Sequence, residues 1–177
     1  MSRQTWQEEI ATATADGTAV ANTTTESIAF PNLTIPANFL QDGRTLRLTA
    51  FGKLSTTGTP TIIFAIRFGG VTGTLLATTE AITTASGAAN TAWSLDVLIQ
   101  VRANGATGSL LVMGNTRVNL TASTVTAGVF GVSGFDAPAP VTVDLTADTA
   151  LSITAKWSAA SSSNTLTGLI YTLEALN

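Results

Sequence analysis

The chain has no cysteine and no histidine. The first absence removes disulfides, thiolate nucleophiles and zinc-thiolate sites; the second removes the commonest general base and the commonest transition-metal ligand. Charge is scarce as well. Charged residues make up 11% of the 177, against about 25% in an ordinary soluble domain. The few basic residues are scattered and the net charge is −3, so there is no run of Lys or Arg to hold phosphate, and nucleic acid is not an expected partner. Long apolar runs are also missing: Ile62 to Ile66 is far short of the roughly 20 residues that cross a bilayer, so no membrane partner is expected. The opening MSRQTWQEEIATATAD mixes Arg3 with Glu8 and Glu9 and lacks the apolar stretch of a secretory signal, so synthesis and first use inside a cell are expected.

With those groups gone, carboxylate chemistry is what remains, since a glycosidase needs only two acids. The candidate pairs are Asp144 with Asp148, Glu8 with Glu9, and Asp42 with Asp96. Each reads more simply as a turn, a solvated face or a helix-start charge. Gly69-Gly70-Val71-Thr72-Gly73 lacks the following helix that a phosphate-cradling loop needs, and reads as a hairpin turn. Asp16-Gly17 and Asp42-Gly43 lack the alternating oxygen ligands of a calcium loop and read as turns, while the N-x-Thr triplets at Asn22, Asn32 and Asn119 are what a Thr-rich chain produces by chance. No catalytic residue, cofactor, metal or small-molecule substrate is expected, and the chain is not expected to be an enzyme.

What is present points to β structure. Hydrophobic residues are 45% of the chain, and Thr, roughly a fifth of it, is a β-branched residue suited to a half-solvated pleated surface. The length fits one domain with a real core. Alternation places Leu46, Leu48, Ala50 and Leu54 on one face of a strand over Arg44 to Leu54, with Arg47, Thr49, Phe51 and Lys53 on the other. Thr61 to Phe68 is a nearly continuous apolar run, to be buried on both sides or at an interface. Trp93, Leu95, Val97, Ile99 and Val101 share a face, and the turn around Asn104-Gly105 leads to a second apolar run, so Trp93 to Val118 reads as a hairpin. Residues 119–139 read mostly as loop, followed by strands over Val141 to Leu145, Leu151 to Trp157 and Leu166 to Leu173. Pro31, inside the alternating Ser27 to Ile35, marks an edge or a bulge. Eight or nine strands of uneven length, with some long loops, predict an all-β, jelly-roll-like antiparallel β-sandwich over residues 27–177.

Residues 1–26 read as an extended N-terminal arm. A short helix is expected to open at Thr5, with Glu8 three positions on in a capping-box arrangement. The stretch that follows is small and polar, without a core pattern. It is either a frayed terminus or a docking arm, and Trp6, costly to leave in water, favours docking. Thr5, Trp6, Gln7 and Ile10 are the expected partner-binding residues. Alternation also leaves apolar side chains on second faces: Phe51, Leu98, Leu111, Met113 and the row Leu169, Tyr171, Leu173. These lie either under loops in a two-sided core or at a subunit interface; for the latter the candidates are Phe51, Leu98, Met113, Leu169, Tyr171 and Leu173.

The stretch IPANFLQDGRTLRLTAFGKLSTTGTPTIIFAIRFGG (Ile35 to Gly70), with Trp93-Ser-Leu and VRANGATGSLLVMG (Val101 to Gly114), resembles a module of tailed-phage structural proteins. There an "IPA-N-x-L-x-x-G" segment leads into alternating strands, a "G-T-P" turn and an "R-x-G-G" end. The resemblance covers residues 27–118 and implies a jelly roll of the kind found in capsid cement or decoration proteins and in head fibres, where trimers are usual. It implies a virion protein, made in the host cytoplasm, without fixing its position on the particle; the lack of a collagen-like or coiled-coil stalk favours the capsid surface, with the major capsid protein and two further copies of itself as partners. The other function the resemblance admits is a receptor- or carbohydrate-binding module of a head or tail fibre. Against that, Trp93 and Trp157 sit in phase with core positions, leaving few aromatics for a sugar platform.

Overall fold

The computed structural model describes residues 7–120, 125–130 and 138–176, with the backbone alone over 127–130. These residues form fourteen strands and no helix. In chain order they are β1 (Gln7–Thr12), β2 (Val20–Ala21), β3 (Ser27–Ile28), β4 (Leu33–Ile35), β5 (Thr45–Ser55), β6 (Thr61–Phe68), β7 (Thr74–Thr78), β8 (Ile82–Thr83), β9 (Thr91–Ala103), β10 (Gly108–Asn119), β11 (Val125–Phe130), β12 (Val141–Val143), β13 (Thr149–Trp157) and β14 (Thr165–Leu176). All pairings are antiparallel. An eight-stranded sheet runs β1-β14-β5-β9-β10-β11, with β12 on β10 and β2 on β14. A six-stranded sheet runs β3-β13-β6-β7, with β4 on β13 and β8 on β6. The chain is a jelly-roll-like β-sandwich.

The long strands follow from alternation. Leu46, Leu48, Ala50 and Leu54 of β5, and Trp93, Leu95, Val97, Ile99 and Val101 of β9, all point inward and are buried. Opposite them in the other sheet lie Ile62, Phe64 and Ile66 of β6 with Ile153, Ala155 and Trp157 of β13. Gly52 and Gly168 face each other across β5 and β14. A Cβ on Gly52 would come within 2.6 Å of the Trp93 ring and 2.2 Å of the Thr167 carbonyl, and one on Gly168 within 2.3 Å of the Phe30 ring. The missing side chains make room for an aromatic cluster in which Phe30 meets Tyr171 edge-on at 5.1 Å and Trp93 at 6.0 Å.

Several expectations are corrected. Residues 7–12 are a strand, not the continuation of a helix from Thr5: a one- or two-turn helix carries the full nucleation cost, whereas the open edge of β14 satisfies the backbone at once. The segment after it is also held. Gly17 donates its N–H to the Gly168 carbonyl at 2.9 Å, Val20 is buried, and the Trp157 indole donates to the Val20 carbonyl at 3.0 Å. Residues 7–21, assigned to an arm, thus line the edge of the eight-stranded sheet. Within 119–139, read as loop, Val125–Phe130 pairs with β10. Pro31 falls between β3 and β4 on the same flank of β13, interrupting an edge. Gly69 and Gly70, with φ of 105° and 80°, turn β6 into β7 as expected of a hairpin.

Candidate interaction surface

The two sheets treat their outward faces differently. On the six-stranded sheet, Ser152 and Thr154 of β13 alternate away from the core yet are buried. The chain between β2 and β4 covers them. Ser152 donates to the Asn32 side-chain oxygen at 2.6 Å, and Thr154 donates to Glu26. Glu26 also binds Arg67 of β6 through both carboxylate oxygens, at 2.6 and 2.8 Å, and Arg67 donates a further bond to the Gly73 carbonyl. The Arg67 hydrogen bonds hold the Glu26 carboxyl below the ordinary glutamate range; partial burial acts in the opposite direction, and Thr154 reinforces the lowering. This face is sealed by a satisfied polar cluster.

The outward face of the eight-stranded sheet carries no such cover among the described residues. Cross-strand partners share a face, so the register arranges its side chains in rows. One row is Ile170, Phe51, Ser94 and Arg117; the next is Thr172, Thr49, Asp96 and Asn115; a third is Glu9, Glu174, Arg47, Leu98 and Met113; a fourth is Leu176, Thr45, Gln100 and Leu111. Phe51, Leu98, Met113, Ile170 and Val125 are the large apolar side chains left in water, between 46% and 56% exposed. Arg47 binds Asp96 through two hydrogen bonds, at 3.0 and 2.5 Å, between the two apolar groups. A shallow hollow of about 480 Å³ beside Phe51 is bordered by Ser94, Arg117, Asn119 and Val125.

Three of the expected interface residues, Phe51, Leu98 and Met113, are therefore exposed on one face, in three adjacent strands. Tyr171 and Leu173 are not. Both are buried against the core, and burial pushes the Tyr171 phenol up. A β-bulge between Gly168 and Ile170 inserts one residue and reverses the alternation, so that Leu166 and Leu173, seven positions apart, face the same way. The residue turned outward is Ile170, which strict alternation from Leu166 misses, while Leu169 is half-buried. Of the arm residues, Gln7 is exposed, and Ile10, half-buried, packs against the core. Thr5 and Trp6 lie outside the described residues.

Two of the three acidic pairs, Asp144 with Asp148 and Asp42 with Asp96, have structural roles. Asp144 accepts the N–H and hydroxyl of Thr146, which lower its pKa; Asp148 accepts the Ala37 N–H at 2.8 Å; Asp42 accepts the Asn104 N–H at 2.7 Å. Among the described residues no group of three or more acidic side chains is placed to hold a metal ion, and no helix is long and apolar enough to cross a membrane.

No protein-family model and no curated protein sequence matches the chain. Among solved structures it is similar to the CBM2 module of the evolved Dit of Lactobacillus casei BL23 phage J-1, with a TM-score of 0.40 and 10% identity over 99% of this chain and 98% of that one. A likeness of that size carries no residue role from one chain to the other.

Proposed function

We propose that the chain is a non-enzymatic structural virion protein that decorates and cements a phage capsid, binding the lattice of the major capsid protein as a homotrimer. The observation that carries this reading is the bare outward face of the eight-stranded sheet. A face with five half-exposed large apolar side chains in neighbouring strands gains on association. The phage-module resemblance over residues 27–118 supports the same class. Asp42, Asp144 and Asp148 are engaged in turn and loop hydrogen bonds and Asp96 in an ion pair. To test it, the purified chain is added to capsids of the encoding phage assembled without it, and binding and shell stability are measured. Saturable binding in multiples of three, with shells that resist heating better, is expected. No binding to the shell overturns the reading.

The hollow beside Phe51, with Ser94, Arg117 and Asn119 as hydrogen-bonding groups, favours the second reading, a receptor- or carbohydrate-binding module of a head or tail fibre. Glycan-array binding lost on Phe51→Ala, without binding to shells, would establish it in place of the first.

A further inference from the structure

A three-fold ring makes a demand that a two-fold pair does not: each copy meets its neighbours through two different patches, and those patches must complement each other. The outward face of the eight-stranded sheet is divided in this way. On its β1–β14 side, Glu9 lies directly across from Glu174. Like charges opposite one another on neighbouring strands are unfavourable by themselves, and the cation beside them, Arg47, is already bound by Asp96 through Nε and Nη2. On the β9–β10 side the excess is of the other sign. Arg102 and Arg117 are exposed and form no ion pair among the described residues; they lie towards opposite ends of the hairpin, with the half-exposed Leu98 and Met113 between them.

We propose that this face takes a second copy of the chain head to tail, the Glu9–Glu174 side of one copy meeting the Arg102–Arg117 side of the next, with Leu98 and Met113 buried at the contact. The charge match is internal to the chain, which is what a copy supplies and an unrelated partner does not. The assignment rests on the trimeric reading above and gives it a surface. It also explains why the Arg47–Asp96 pair sits between the two halves: a neutralised centre lets opposite ends attract without repulsion in the middle.

The test is sedimentation of the full chain and of Glu174→Arg, Arg117→Glu and the double swap, with circular dichroism to establish that each variant is folded. Each single reversal is expected to raise the concentration at which trimers dissociate by about tenfold or more, and the swap to recover most of that loss. Should a reversal disturb folding, Met113→Asp and the salt dependence of the unaltered trimer replace it, both with weaker association expected. A trimer indifferent to all of these changes overturns the assignment of this face and leaves the trimeric reading standing. A chain that sediments as a monomer or dimer at micromolar concentration overturns both.

Discussion

The two outward faces of the sandwich are built from the same kind of strand and finish differently. On β13, Ser152 and Thr154 vanish beneath a crossing segment whose Glu26 and Asn32 answer their hydroxyls. On β5, β9, β10 and β14, Phe51, Leu98, Met113 and Ile170 remain half in water. The first face uses polar groups where they are hidden, and the second keeps apolar groups where they are accessible. Polar groups under cover need partners from the same chain, because an unpaired buried one costs free energy. Apolar groups in the open need no partner for folding, only for association. The lesson is that burial and polarity must be read together: one face is covered by its own chain and the other is left open among the described residues.

Both faces depend on the core between the sheets, and breaking that core has the largest expected effect. Gly52→Val drives a branched side chain into the Thr167 carbonyl and the Trp93 ring, and is expected to cost about 3 kcal/mol or more. Urea denaturation reads this as a lower midpoint; an unchanged midpoint would mean that the Gly52–Gly168 hollow is not needed by the aromatic cluster.

The next pair of changes separates folding from association within one strand. Leu173→Ala is expected to destabilise the fold by about 2–5 kcal/mol, as for other buried leucines. Ile170→Ser is expected to change chemical stability by no more than about 0.5 kcal/mol while weakening self-association. Measuring both by denaturation under conditions that keep the chain monomeric tests the bulge directly. If Ile170→Ser proves the more destabilising, the outward assignment of Ile170 is wrong.

The sealed face should respond to pH. Because Glu26 releases its proton more readily in the folded chain, its pairing with Arg67 contributes fully above the unfolded value, about 4.3, and is lost as pH falls through the lower folded value. Glu26→Gln is expected to lose about 1–2 kcal/mol at neutral pH. The gap between the two proteins' melting temperatures should narrow steadily on acidification below pH 4. Parallel curves down to pH 2 would show that the pair contributes nothing that titrates. The smallest effect belongs to the open face: Arg47→Ala should cost no more than about 1 kcal/mol, since both partners of that ion pair are well solvated. Raising the salt concentration should reduce even this difference.

The sandwich was legible wherever strict alternation ran uninterrupted. β5, β6 and β9 lie within a residue or two of the expected spans, and the inward faces of β5 and β9 hold the expected residues. Alternation is a phase measurement, and one inserted residue reverses it. That is how the Gly168–Ile170 bulge moved Tyr171 and Leu173 from the expected interface into the core. Val125–Phe130 was hidden by its neighbours, whose Ser, Thr, Gly and Pro content dominates any window around it. Residues 7–21 show a different limit. Val20 is a single fully buried apolar residue among small ones, and a single residue has no period; much of what holds this segment is backbone pairing to β14 and an indole hydrogen bond, neither of which leaves a mark on side-chain pattern. The exposed trio Phe51, Leu98 and Met113 was visible as a break in polarity on otherwise wet faces. That they lie in adjacent strands follows from pairing and not from spacing.

The register that sets Gln7 opposite Leu176 has a consequence in time. β1 leaves the ribosome first among these strands and has no edge to join until β14, made last, has paired with β5. Until β14 is in place the eight-stranded sheet lacks an outer strand, and residues 7–21 can neither shield it nor be shielded by it. Joining elements so far apart in the chain carries a large loop-closure entropy, the property that places all-β domains among the slow folders, in the range of milliseconds to seconds. Glu8 and Glu9 put two charges on that strand, and charge on a strand without its partner disfavours edge-to-edge pairing.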